Sequence, residues 1–216
     1  MKTSAELVIL HVTKIKDSAV VIHTLSRGFG RKSFIVNVGK GRSMAMFLPL
    51  NVVEAEIVEN PKSELWKASS FAAAYPLNGI RQNLYKNTMT LFMSEVLYRT
   101  VRDGVSEDGL YDWVVKSILT LDAMESDFSN FHVRFLLELA VAMGFAPDIA
   151  DIAPFAGERY GEISAMMKAS FTESMLIPLS GQVRNELADV LLRYLSHHTE
   201  SSINIQSLKV LRELFS

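Results

Sequence analysis

At residues 75–79, Tyr-Pro-Leu-Asn-Gly, the apolar pattern of this 216-residue chain changes period, and no single compact fold class accommodates both sides of that change. Before it, apolar residues alternate in short runs separated by polar turns, as strands require. After it, apolar residues recur at three- and four-residue spacing, as helices require. The chain therefore reads as α+β: a sheet-built amino-terminal domain over residues 1–77 and a helical domain over residues 78–216.

Residues 6–15, 19–25 and 31–38 read as three strands, the first apolar on both faces. Residues 47–58 form a long apolar stretch interrupted by Pro49, which is suited to an edge or the start of a strand. Residues 65–75 supply a closing strand. Five short strands in about 75 residues match a small closed barrel of the OB type. Downstream, residues 81–101, 110–124, 130–143, 180–197 and 206–215 have helical spacing, with Gly144 placed to end the third of these. Residues 146–170 carry two prolines and several acids and read as an irregular insertion.

The net charge of −2 is unevenly spread. Up to Lys67 there are ten cations against six acids, a balance of +4, and the remainder carries −6. Such asymmetry points toward a polyanionic partner for the first domain, or toward two differently charged solvated surfaces. The cations concentrate in residues 26–43, SRGFGRKSFIVNVGKGRS. Arg27, Arg31, Lys32, Lys40 and Arg42 fall in or beside two glycine turns, and Phe29 stands between the first two cations. Cations there would neutralise phosphates, and an exposed ring could stack on a base. Equally, the charges could solubilise turns while Phe29 plugs the barrel mouth.

Enzymatic chemistry is poorly supported. Gly28-Phe29-Gly30 has Ser33 where a dinucleotide fingerprint needs its third glycine, and Gly39-Lys40 is followed by glycine, not Ser or Thr. His197-His198 are adjacent and share no helix face, so a metal site there is disfavoured. The absence of cysteine excludes disulfides and thiolate sites and fits a reducing cytoplasm. No uninterrupted apolar run approaches the ~18 residues that a membrane-spanning helix needs. No cofactor is expected.

In their order, the segments LVILHVTKIKDSAVVIHTLSRGFGRKSFIVNVGKGRS, FLPLNVVEAEI, FHVRFLLELAVAMGFAPD and YLSHHTESSINIQSLKVLREL resemble the RecO family of bacterial recombination mediators, with the flavour of its Bacteroidetes members. The resemblance implies an OB barrel followed by an all-α domain, and a protein without catalytic turnover. It implies binding to single- and double-stranded DNA, strand annealing, and work with RecR. It further implies capture of the acidic carboxy-terminal tail of single-stranded-DNA-binding protein, so that RecA can be loaded. Many relatives carry a four-cysteine zinc site after the segment matching Met143-Gly144-Phe145; this chain has no cysteine there, so no zinc is expected. Only Lys40 and Arg42 follow the third strand, where relatives often have more cations. Arg134 is the candidate for holding the partner peptide's terminal carboxylate. The alternative reading is a protein-interaction adaptor, with a barrel and a Met-rich helical groove but weak or no DNA binding.

Overall fold

A computed structural model describes residues 2–38, 44–104 and 109–215. Strands β1 (Lys2–Lys16), β2 (Ala19–Ser26), β3 (Gly30–Asn37), β4 (Val52–Val58) and β5 (Leu65–Ala73) close into a barrel in the order β1-β2-β3-β5-β4. All pairings are antiparallel except β3 with β5, and β4 returns to β1. That topology is the OB barrel expected from the spacing of strands and turns. Because the side-chain period is two, alternate residues point inward. Leu7 and Ile9, Val20 and Ile22, Phe34 and Val36, and Val53, Ala55 and Ile57 fill the interior, with Phe47 closing one end.

One local departure re-aims a side chain. The β1–β2 register shifts between Ile9 and His11, leaving Leu10 unpaired with β2 as a bulge. Simple alternation would put His11 inside with Leu7 and Ile9. The bulge turns it outward instead, and Val12 packs against the interior.

Nine helices follow among the described residues: α1 (Asn78–Arg81), α2 (Leu84–Thr100), α3 (Leu110–Ala123), α4 (Phe131–Ala142), α5 (Ile149–Ala156), α6 (Tyr160–Lys168), α7 (Phe171–Leu176), α8 (Gly181–Thr199) and α9 (Ser207–Phe215). Their ends carry recognisable stops. Gly144, at φ 80°, gives α4 a Schellman ending, its N–H bonded to Val141 O at 3.0 Å and that of Phe145 to Ala140 O at 2.8 Å. Ser170 and Glu173 form a reciprocal capping box at α7, and the Ser180 side chain caps α8.

The segment expected to be irregular, residues 146–170, is helical. Asp148 accepts from the Asp151 N–H at 2.7 Å and starts α5, while Ile152, Ala156, Ile163 and Met166 are buried at helical spacing. Pro154 does lie inside α5 and removes one backbone bond, but burial of that stripe holds the short helix regardless.

The chain divides into two compact units: residues 1–78 with 101–118, and residues 79–100 with 119–216. The first half of α3 thus belongs with the barrel. In the second unit α2 is buried almost all round, and its buried hydroxyls turn back on their own helix, as Thr88 does to Leu84 O at 2.9 Å. Glu95 of α2 accepts from the Ser207 N–H at 2.8 Å and from its hydroxyl at 2.6 Å, capping α9 from outside. Burial raises the Glu95 carboxyl, but the bonds from Ser207 and Gln206 outweigh it and hold it below the ordinary range.

His132 of α4 is fully buried, edge-on to Phe92 at 6.1 Å. Burial, reinforced by the charge of Arg184, pushes its pKa from 6.5 down to about 3. An unfolded chain protonates this histidine near 6.5 while the folded one keeps it neutral, so its share of stability is intact above 6.5 and drains as pH falls. Unfolding of this unit, followed by far-ultraviolet circular dichroism, is expected to be easier at pH 5 than at pH 7 by about 2 kcal/mol. His132→Leu should flatten that difference; an equally steep profile in the variant would contradict it.

Candidate nucleic-acid interface

The β2–β3 hairpin is held by its own backbone and one buried hydroxyl. Ser26 pairs with Gly30, whose φ of 59° suits glycine, and the Ser26 hydroxyl accepts from the Phe29 N–H at 3.1 Å. Arg27 and Gly28 form the exposed tip. Register then sorts the next two cations. Arg31 pairs with outward Leu25, and Lys32 with Thr24, which shares the inward side with Ile22.

Lys32 lies at the barrel mouth with its Nζ 4.4 Å from the centre of the Trp66 ring. Phe29 is half-buried and meets the same indole edge-on, with centroids 5.1 Å apart. The hairpin thus brings Phe29 and Lys32 together on Trp66 of β5, a ring that Phe34 supports from within at 6.2 Å. A cation beside a cluster of aromatic rings is the surface chemistry that single-stranded nucleic acid uses.

Arg27 and Arg31 are occupied differently. Arg31 makes a two-pronged bond to Asp103, Nε to Oδ1 at 2.6 Å and Nη2 to Oδ2 at 2.8 Å. The backbone joins in: residues 31 and 103 form a parallel bridge, and the Gly104 N–H donates to Arg31 O at 2.9 Å. Arg27 reaches Asp112 at 2.5 Å and lies 5.5 Å from the Tyr111 ring centre. With residues 101–118 the barrel unit gains two cations and four acids, so its balance falls from +4 to +2.

Beside this edge is a cleft of about 290 Å³ lined by His23, Arg31, Ser33, Glu64, Leu65 and Asp103, among others. His23 is half-buried and tied at both nitrogens, Nδ1 to the Ser33 hydroxyl at 2.8 Å and Nε2 to that of Thr13 at 3.2 Å. It stacks on His11 at 5.7 Å. Burial, then the charges of His11 and Arg31, lower its pKa, so the imidazole is neutral at neutral pH. His23 is thus a sheet residue tied across β1 and β3 by its hydrogen bonds.

The comparisons with known proteins agree along the chain. The family model for the Recombination protein O N terminal matches residues 1–74, and that for the Recombination protein O C terminal matches residues 81–154. This chain belongs to the RecO family. Its relatives include the DNA repair protein RecO of Phocaeicola vulgatus, 27% identical over 97% of each chain. That of Flavobacterium psychrophilum is 24% identical over the full length of both. The counterpart in Porphyromonas gingivalis is 33% identical over 66% of this chain and 60% of its own. RecO membership supports a role in DNA repair, and the OB barrel is the family's amino-terminal part.

The other RecO site candidates fall elsewhere. Lys40 and Arg42 lie outside the described residues. Arg134 belongs to the second unit, where its side chain is only 15% exposed. It pairs with Glu138 at 2.7 Å and donates to Met166 O at 3.1 Å and Ala169 O at 2.9 Å, closing the carboxy-terminal end of α6. His197 and His198 pack among Phe145, Phe155 and Tyr194.

Sequence reasoning passed over Trp66, Asp103, Asp112 and Tyr111. Trp66 carried a usable signal, a tryptophan on a strand of the only basic region. The acids carried none, since they meet their arginines across 72 and 85 residues of chain. Tyr111 donates to Glu6 Oε1 at 2.5 Å, and burial, with that bond to Glu6, drives its phenol far above the ordinary range. Tyr111→Phe removes a hydrogen bond to a carboxylate and should cost the barrel unit about 2 kcal/mol. Tryptophan fluorescence during urea unfolding reads this unit, because Trp66 and Trp113 both belong to it. An unmoved midpoint would mean that the bond contributes nothing.

Proposed function

We propose that this chain is a DNA-binding recombination mediator of recombinational repair. Its barrel edge holds single-stranded DNA, with duplex DNA as a second ligand, through Arg27, Phe29, Arg31 and Lys32, together with Lys40 and Arg42. It anneals complementary strands in the cytoplasm and, with RecR, helps load RecA on strands coated by single-stranded-DNA-binding protein. Charge neutralisation and stacking do this work, with no catalytic step. The observation that carries the reading is the meeting of Lys32 and Phe29 on Trp66 at a hairpin that also bears two arginines. Family membership supports it independently.

Changing Arg31 and Lys32 together to alanine should weaken binding of a labelled oligothymidine and flatten the dependence of log affinity on log salt by up to about 1.4. Fluorescence anisotropy across a salt series measures both. Unchanged affinity and slope would remove this edge from the interface.

The adaptor reading has one observation of its own. In the second unit α8, α9 and residues 203–205 line an open groove of about 410 Å³, where Leu192, Ile203 and Leu208 meet Arg193, Lys209 and Arg212 together with the acid Asp189 and polar Ser196 and Asn204. Apolar side chains beside three cations suit an acidic peptide with a hydrophobic end, such as the tail of single-stranded-DNA-binding protein. It is a better receptor than Arg134, whose guanidinium already serves Glu138 and the end of α6. Arg212 is held by Asp189 at 2.6 Å, whereas Lys209 is exposed. Lys209→Glu should weaken binding of such a peptide several-fold, while Arg134→Ala should lower thermal stability. Loss of peptide binding in a stably folded Arg134→Ala, with Lys209→Glu unaffected, would return the role to Arg134.

A further inference from the structure

The acids on the barrel edge do more than balance charge. Asp103 presents its two oxygens to the fork of Arg31 in the geometry by which a guanidinium also grips a phosphate. Exposure shows the direction of access. The Arg31 side chain is only 18% exposed and Asp103 is 66% exposed, so the carboxylate covers the guanidinium on the solvent side. Arg27 and Asp112 both face solvent, at 72% and 58%. A pair this open is weak and exchangeable, and the two-pronged Arg31–Asp103 pair holds more firmly. The backbone bridge between residues 31 and 103, with the Gly104 N–H on Arg31 O, keeps residue 103 in place whether or not its side chain lets go.

We propose that Asp103 and Asp112 are phosphate surrogates, electrostatic brakes that nucleic acid must displace from Arg31 and Arg27, and that they set the affinity and salt dependence of the edge. This inference rests on the reading of the barrel edge as a DNA contact. A displaced carboxylate stays beside the incoming phosphate and repels it, which attenuates each arginine without removing it. The consequence is a modest, readily reversed grip, suited to a protein that must hand strands over. Asp103, fixed by the backbone over the less exposed arginine, is the stronger brake.

The test compares Asp103→Asn, Asp112→Asn and the double variant with the unmodified protein, by anisotropy of a labelled oligothymidine across a salt series. Asp17→Asn, which removes an acid paired with Lys14, controls for net charge. The double variant is expected to bind on the order of five-fold tighter at low salt, with a slope steeper by about 1.4, two phosphates' worth. Adding Arg31→Ala should cancel most of the gain. The same affinity and slope in the double variant, or an equal gain from Asp17→Asn, overturns the proposal and leaves the DNA reading standing. Absence of binding by every variant, the unmodified protein included, overturns the DNA reading and the proposal with it. Should Asp103→Asn fail to fold, the solvent-facing Asp112→Asn alone still decides through its own expected slope change of about 0.7.

Discussion

Everything in the first unit depends on one strand serving two neighbours. Through residues 2–8 β1 pairs with β4, and through residues 7–16 with β2, so a single strand closes the barrel. Closure leaves no long open edge to template aggregation. It requires β1 to bend, and the bulge at Leu10 marks the changeover. The same bulge sends His11 out to stack on His23 and returns Val12 to the interior. With the barrel closed, the β2–β3 hairpin has a rigid base, and Trp66 of β5 is brought beside it by the parallel pairing of Phe34 with Trp66.

On that frame the edge combines two kinds of cation. Lys32 sits on an aromatic ring and is partly exposed to solvent. The arginines sit on carboxylates, where a bidentate fork gives order at the expense of field strength. A barrel unit with a balance of +2 attracts a polyanion less than the +4 of the first third of the chain suggests. On the proposed reading, affinity at this edge is decided by local geometry, by which cations release their partners to a phosphate, more than by total charge.

The barrel was legible because period-two alternation and glycine turns are local signals, and so was the switch to helices after residue 78. The helix over residues 149–156 was missed because Pro154 and two aspartates resemble a breaker, although Ile152, Ala156, Ile163 and Met166 kept the helical period. Long-range events were invisible in principle. Nothing in residues 79–100 announces that Glu95 will cap α9 more than a hundred residues later. Nothing near residue 31 announces Asp103. The nominated cations were found by composition, and composition is blind to their partners. Arg134 shows the same limit: an arginine on an apolar helix invites a ligand reading, and packing gives it the carbonyls of α6.

The salt dependence of oligothymidine affinity for the unmodified protein bears most directly on the claim that this barrel edge is a phosphate-contacting surface. Three described cations at the edge, two of them attenuated by carboxylates, predict log affinity falling linearly with log salt at a slope between about −1 and −2. A slope indistinguishable from zero, or no binding at low salt, would contradict the account.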